Sequence, residues 1–131
     1  MPGEESLYPG DWLRIAEKDL QRVPRLLSAD DPEAAGFYLQ QALEKFFKAF
    51  LLSKGWRLRR IHSLDALLDD ALEYDPTIEG FRKVCQRISG FYFVERYPVM
   101  LESELTEKEV RDALNEVQGL IEKLRVGVEG R

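Results

Sequence analysis

The chain has 131 residues, a formal net charge of −5, 44% hydrophobic and 33% charged residues, which sets one domain with one core and excludes a disordered chain. Its acidic balance repels polyanions unless the basic residues are gathered in one place. Cys85 and His62 are the single cysteine and histidine, so neither an internal disulfide nor a Cys/His zinc site can form within one chain, and neither metal nor cofactor is expected.

No apolar run approaches the roughly 20 residues that span a bilayer, and the acidic Met1–Ser6 segment lacks the basic and apolar regions of a signal peptide. The expected location is therefore the cytoplasm, with no membrane association. Residues 1–10 are expected to form a flexible N-terminus and residues 11–128 one helical domain.

In chain order, Trp12, Ala16, Leu20, Val23 and Leu27 recur at three- and four-residue spacings, which predicts a first amphipathic helix over Asp11–Ser28 with Asp11 as its N-cap. Pro24 is expected to kink or shorten its last turn. Asp31-Pro32 reads as a cap followed by a proline start, and Gly55 as a left-handed stop. Between them a long second helix carries Leu39, Leu43, Phe46, Phe47, Phe50 and Leu51 on its apolar face, while Gln41, Lys45 and Lys48 align on another.

Ser63 is placed to cap a short third helix whose Leu64, Leu67, Leu68 and Leu72 face the core. Asp75-Pro76 predicts the start of a fourth, with Phe81, Val84, Cys85 and Ile88 inward and Gly90 loosening its end. The aromatic cluster Phe91, Tyr92, Phe93 and Tyr97 follows, and Pro98 stops any helix there. Thr106 and Glu109 form a capping box before a last helix striped by Val110, Leu114, Val117, Ile121, Leu124 and Val128. With no alternating strand pattern, the expectation is an all-α, up-and-down bundle of four to five helices.

Chemistry concentrates in three places. Lys45, Lys48, Lys54, Arg57, Arg59 and Arg60 lie in a stretch, Lys45 to His62, that contains no acidic residue. Such a block either holds phosphates or is a solvated helix end complementing the dipole of helix two. His62 lies close after Arg57, a pair able to move a proton and stabilise phosphate charge, though a histidine beside a helix start also serves as a hydrogen-bonding cap. Arg96 and Tyr97 offer an anion contact and a stacking ring, or a salt bridge and a loop anchor. Cys85 falls on a core stripe and reads as a packing residue. Phosphate loops, paired catalytic carboxylates and nucleophilic triads are lacking, which weighs against most enzyme classes.

Four pieces in order resemble the HEPN family (higher eukaryotes and prokaryotes nucleotide-binding): Asp11-Trp12-Leu13 with Asp19-Leu20, the run Phe37 to Ala49 containing Gln40-Gln41-Ala42-Leu43-Glu44-Lys45, then His62-Ser63-Leu64, then Arg96-Tyr97-Pro98. The resemblance implies a helical bundle, a homodimer, and a small nucleotidyltransferase protein as partner in a toxin-antitoxin-like pair. Catalytic members of the family are ribonucleases with a late arginine and a histidine four to six residues apart. Arg96 is the positional counterpart of that arginine, but no histidine follows His62, and Arg57 to His62 has the spacing in the wrong place.

The expectation is therefore a nucleotide- or RNA-associated binding module using Lys45, Lys48, Arg60, His62, Arg96 and Tyr97, with no catalytic residue. The alternative is a metal-independent endoribonuclease toxin in which Arg57 or Arg96 assists His62. The apolar circumference of helix two and the aromatic cluster around Phe91 predict a homodimer through helix four and the segment after it.

Overall fold

Prolines and polar capping residues set the starts of the helices, and left-handed residues close the first two. A computed structural model describes residues 6–96 and 105–129, of which 92–96 as helix backbone only. It contains α1 (Pro9–Ser28), α2 (Pro32–Ser53), α3 (Leu64–Ala71), a 3₁₀ helix (Pro76–Phe81), α4 (Arg82–Arg96) and α5 (Glu107–Glu129). The described residues include no strand, so the fold is an all-α bundle.

The start of α1 corrects the expected cap. Pro9 occupies the first turn after Tyr8, and Asp11 lies inside that turn, accepting a hydrogen bond from Ser6 Oγ at 2.7 Å. At Pro24 the helix is not shortened: it runs on to Ser28 with Pro24 exposed and with Ala16, Val23 and Leu27 holding the opposite face in the core.

The α1–α2 turn is tied by Asp31 N–H to Leu26 O at 2.9 Å and Asp30 N–H to Leu27 O at 3.1 Å, with Asp30 left-handed at φ 61°. The same pair of bonds closes α2 through Trp56 to Leu51 and Gly55 to Leu52, and there the left-handed residue is the expected Gly55 at φ 88°.

The carboxylate of Asp31 accepts from Ala34 N–H at 3.3 Å, and Ser63 Oγ accepts from Ala66 N–H at 3.3 Å, as their positions predicted. Asp75 also caps, accepting from Thr77 N–H at 3.0 Å, but it opens the 3₁₀ helix before α4. Gly90 does not end α4. It faces open space inside a helix that reaches Arg96, and the burial of Ile88 and Phe91 around it outweighs its poor propensity. Thr106 and Glu109 form the reciprocal box, with Thr106 N–H to Glu109 Oε1 at 3.1 Å and Glu109 N–H to Thr106 Oγ1 at 3.2 Å.

The bundle is organised around α2, which packs against α1, α3, α4 and α5. Leu39, Leu43, Phe46, Phe47, Phe50 and Leu51 are all buried. Its apolar circumference is thus covered within one chain, which removes that part of the argument for a dimer. Phe91 is buried as well, packed where α4 passes Gly36 of α2. Tyr97 and Pro98 lie outside the described residues, as do residues 1–5 of the expected flexible N-terminus.

Candidate functional site

Because α2 packs against four other helices, Gln40, Glu44 and Lys48 are carried into the core and must find partners there, with Gln41 and Lys45 half-buried at its edge. They form two ladders at four-residue spacing. In one, Gln40 Nε2 donates to Glu44 Oε1 at 3.3 Å and Lys48 Nζ donates to Glu44 Oε2 at 3.0 Å. In the other, Lys45 Nζ donates to Gln41 Oε1 at 3.3 Å and, across to α1, to Asp19 Oδ2 at 2.7 Å. Gln41 Nε2 joins the ladders by donating to Gln40 Oε1 at 2.7 Å. Asp19 is itself buried and also receives the guanidinium of Arg22.

Lys48 is completely buried. Its ammonium stands 5.2 Å from the centre of the Trp12 ring, a cation–π contact that replaces part of the lost hydration. Trp12 is fixed in turn by its indole N–H, which donates to Ser6 O at 2.7 Å. No described buried side-chain nitrogen or oxygen lacks a hydrogen-bond partner, so the buried charges are compensated.

The network reaches solvent at His62. Its Nδ1 lies 2.9 Å from Glu44 Oε2, the same oxygen that accepts from Lys48, while the side chain is 71% exposed. A carboxylate only accepts, so Nδ1 is the protonated nitrogen of the pair. Glu44 therefore holds a buried cation on one side and an exposed imidazole on the other.

The connector preceding His62 is anchored to α3. Trp56 Nε1–H donates to Asp70 Oδ2 at 2.9 Å and the Arg59 guanidinium takes the same oxygen. Arg57 and Arg60 flank Arg59 on the exposed connector. The basic block is thus divided: Lys48 is internal, Lys45 is partly buried against Asp19, Lys54 donates to Gly127 O of α5, Arg59 bonds Asp70, and the side chains of Arg57, Arg60 and His62 are exposed.

The structure brings Lys45, Lys48 and His62 into one network, with Arg60 two residues from His62 in the chain. Arg96 belongs to the backbone-only end of α4, and Tyr97 lies outside the described residues. Sequence reasoning passed over Asp19, Gln40 and Glu44 as site residues and read Trp12 only as core. The signal was Gln40, Glu44 and Lys48 recurring every four residues inside an apolar run, the spacing at which helix side chains pair. Cys85, on the buried face of α4, has its thiol pushed up to about 12 by burial and then by the charge of Asp65, so it stays a protonated thiol at neutral pH. Among the described residues no helix is long and apolar enough to cross a membrane.

The family model of the HEPN domain matches residues 10–126. The crystal structure of TT1696 from Thermus thermophilus is similar over 93% of this chain and 96% of its own, with 28% identity and a TM-score of 0.77. The crystal structure of ST0689, described as an archaeal HEPN homologue, is similar in fold over 92% of this chain and 98% of its own, with 24% identity and a TM-score of 0.72. No curated protein sequence matches the chain.

Proposed function

This chain belongs to the HEPN domain family, and from that premise we propose that it is a nucleotide- or RNA-associated binding module whose anion site is centred on His62. The observation that carries the reading is the Glu44 carboxylate shared by the buried Lys48 and the exposed His62. A buried ion pair is costly in a small core, and this one ends on an imidazole set to meet a ligand. Lys45 and Arg60 supply further positive charge, Lys48 acts from behind the surface, and Arg96 and Tyr97 enter the proposal by residue type, as an arginine fork and a stacking ring for the ligand.

The module works as a homodimer through α4 and the aromatic segment after it, and docks a small nucleotidyltransferase protein in a two-protein, toxin-antitoxin-like system. Support for these partners is the family and the segment holding Tyr92, Phe93 and Tyr97. Calorimetric titration of ATP at low salt tests the site. Binding heat that falls in His62→Ala and Arg96→Ala supports it, whereas an absence of heat in the unmodified protein removes it.

One observation favours a second reading. An imidazole held through Nδ1 by a carboxylate and open at Nε2 is arranged as a general acid or base, so a metal-independent endoribonuclease leaving a cyclic phosphate is the alternative. Incubation of the protein with total RNA, beside His62→Ala, separates the two. Cleavage lost only in that variant makes the protein an enzyme.

A further inference from the structure

On α1, charge is sorted by helix face. Arg14, Lys18, Arg22 and Arg25 follow at spacings of four, four and three, which keeps them on one strip about 16 Å long at 1.5 Å per residue. The side chains of Arg14 and Arg22 are 68% and 43% exposed, and Lys18 and Arg25 are exposed with no ion pair among the described residues.

The acidic residues of the same helix are already engaged. Glu17 accepts from Arg125 of α5 through both oxygens, at 2.6 and 2.8 Å, and Asp19 is buried beneath Arg22 and Lys45. Asp11, at the head of the strip, is held by Ser6 and Arg14. A chain of net charge −5 thus presents a cationic ridge, separate from the His62 connector in sequence.

We propose that this strip is the docking surface for the phosphodiester backbone of a nucleic-acid strand, an inference that rests on the module being nucleic-acid-associated. The length of the strip selects a polymer, since one nucleotide's phosphates cannot reach from Arg14 to Arg25. The packing of the helix disfavours a lipid surface. A helix that lies in a membrane interface turns its apolar face outward, whereas Ala16, Val23 and Leu27 of α1 face the core.

Fluorescence anisotropy with labelled oligouridine and oligodeoxythymidine, read across a salt series, tests the proposal. Four phosphate contacts give a log–log salt slope of about −3, or about fifty-fold weaker binding between about 50 and 200 mM salt. The triple variant Arg14→Gln, Lys18→Gln, Arg25→Gln is expected to fall to a slope of about −1 and about threefold weakening. Arg22 is left in place because it covers Asp19. The two oligonucleotides show whether RNA is preferred over DNA.

An unchanged slope in the triple variant, with binding lost in Arg60→Ala or His62→Ala, overturns the α1 surface and leaves the His62 site standing. Failure of both oligonucleotides to bind while ATP still gives heat does the same. Failure of oligonucleotides and ATP together overturns both. If the triple variant loses binding only to phosphatidylserine-containing vesicles, the strip serves a lipid surface and the proposal falls.

Discussion

Lys48 and Glu44, one turn apart on α2, meet at 3.0 Å with Lys48 wholly removed from solvent. Removing the ammonium leaves a buried carboxylate with only Gln40 and the exposed His62 to answer it. Lys48→Met is therefore expected to lower stability by about 3–5 kcal/mol. The double variant Lys48→Met, Glu44→Gln removes both charges and should recover most of the loss. Urea midpoints of the two variants check this, and a midpoint unmoved in the single variant would show that the Glu44 carboxylate does not depend on the Lys48 charge.

Cys85 makes stability depend on pH in the alkaline range. Burial, with a smaller contribution from Asp65, raises its folded thiol to about 12 from a usual value near 9. The stabilising contribution of the neutral thiol is complete below the unfolded value and disappears as pH rises through the folded one. Stability should fall between about pH 9 and 12 by up to about 1.4 kcal/mol per unit from this group. Tyrosines and lysines titrate in the same range, so the measurement is the difference in slope between the natural protein and Cys85→Ala. Equal slopes would contradict the assignment.

Two exposed or near-terminal glycines are expected to respond in opposite directions to alanine. A Cβ on Gly127 would lie 2.5 Å from Cε1 and 2.6 Å from Cδ1 of the buried Phe50 ring. Gly127→Ala should destabilise by about 1–3 kcal/mol through overpacking. A Cβ on Gly90 meets nothing within 4 Å in the middle of α4. Gly90→Ala should stabilise by about 0.5–1 kcal/mol through helix propensity. Thermal melts of the two variants suffice, and shifts of the same sign would refute the packing argument.

Gly90 also shows where the sequence ceased to be legible. Its propensity was readable, but the burial of Ile88 and Phe91 that overrides it is a tertiary fact. The α2 caps were legible because Asp31-Pro32 and Gly55 act through their own backbone neighbours. At the site, His62 was visible as the lone histidine, and Lys45 and Lys48 as charges in an apolar helix. What they bond was not visible. Asp19 and Lys45 are 26 positions apart, and Glu44 and His62 are 18 apart, so only the packing of α1 and the connector on α2 joins them.

Asp70 links that connector to function without belonging to the site. It accepts from the Trp56 indole and the Arg59 guanidinium together, and so anchors the connector on which Arg57, Arg60 and His62 lie. Asp70→Ala frees both donors at once. The lost hydrogen bonds should cost about 1–3 kcal/mol in all, with faster amide exchange expected first in residues 56–62, where no regular helix constrains the backbone. Ordering a mobile connector on binding costs free energy that the anchored one does not lose. ATP affinity should accordingly fall in Asp70→Ala while His62 and its Glu44 partner are chemically unchanged. Calorimetry beside hydrogen exchange distinguishes the cases: faster exchange with unaltered affinity would mean that the connector does not need to be held to bind its ligand.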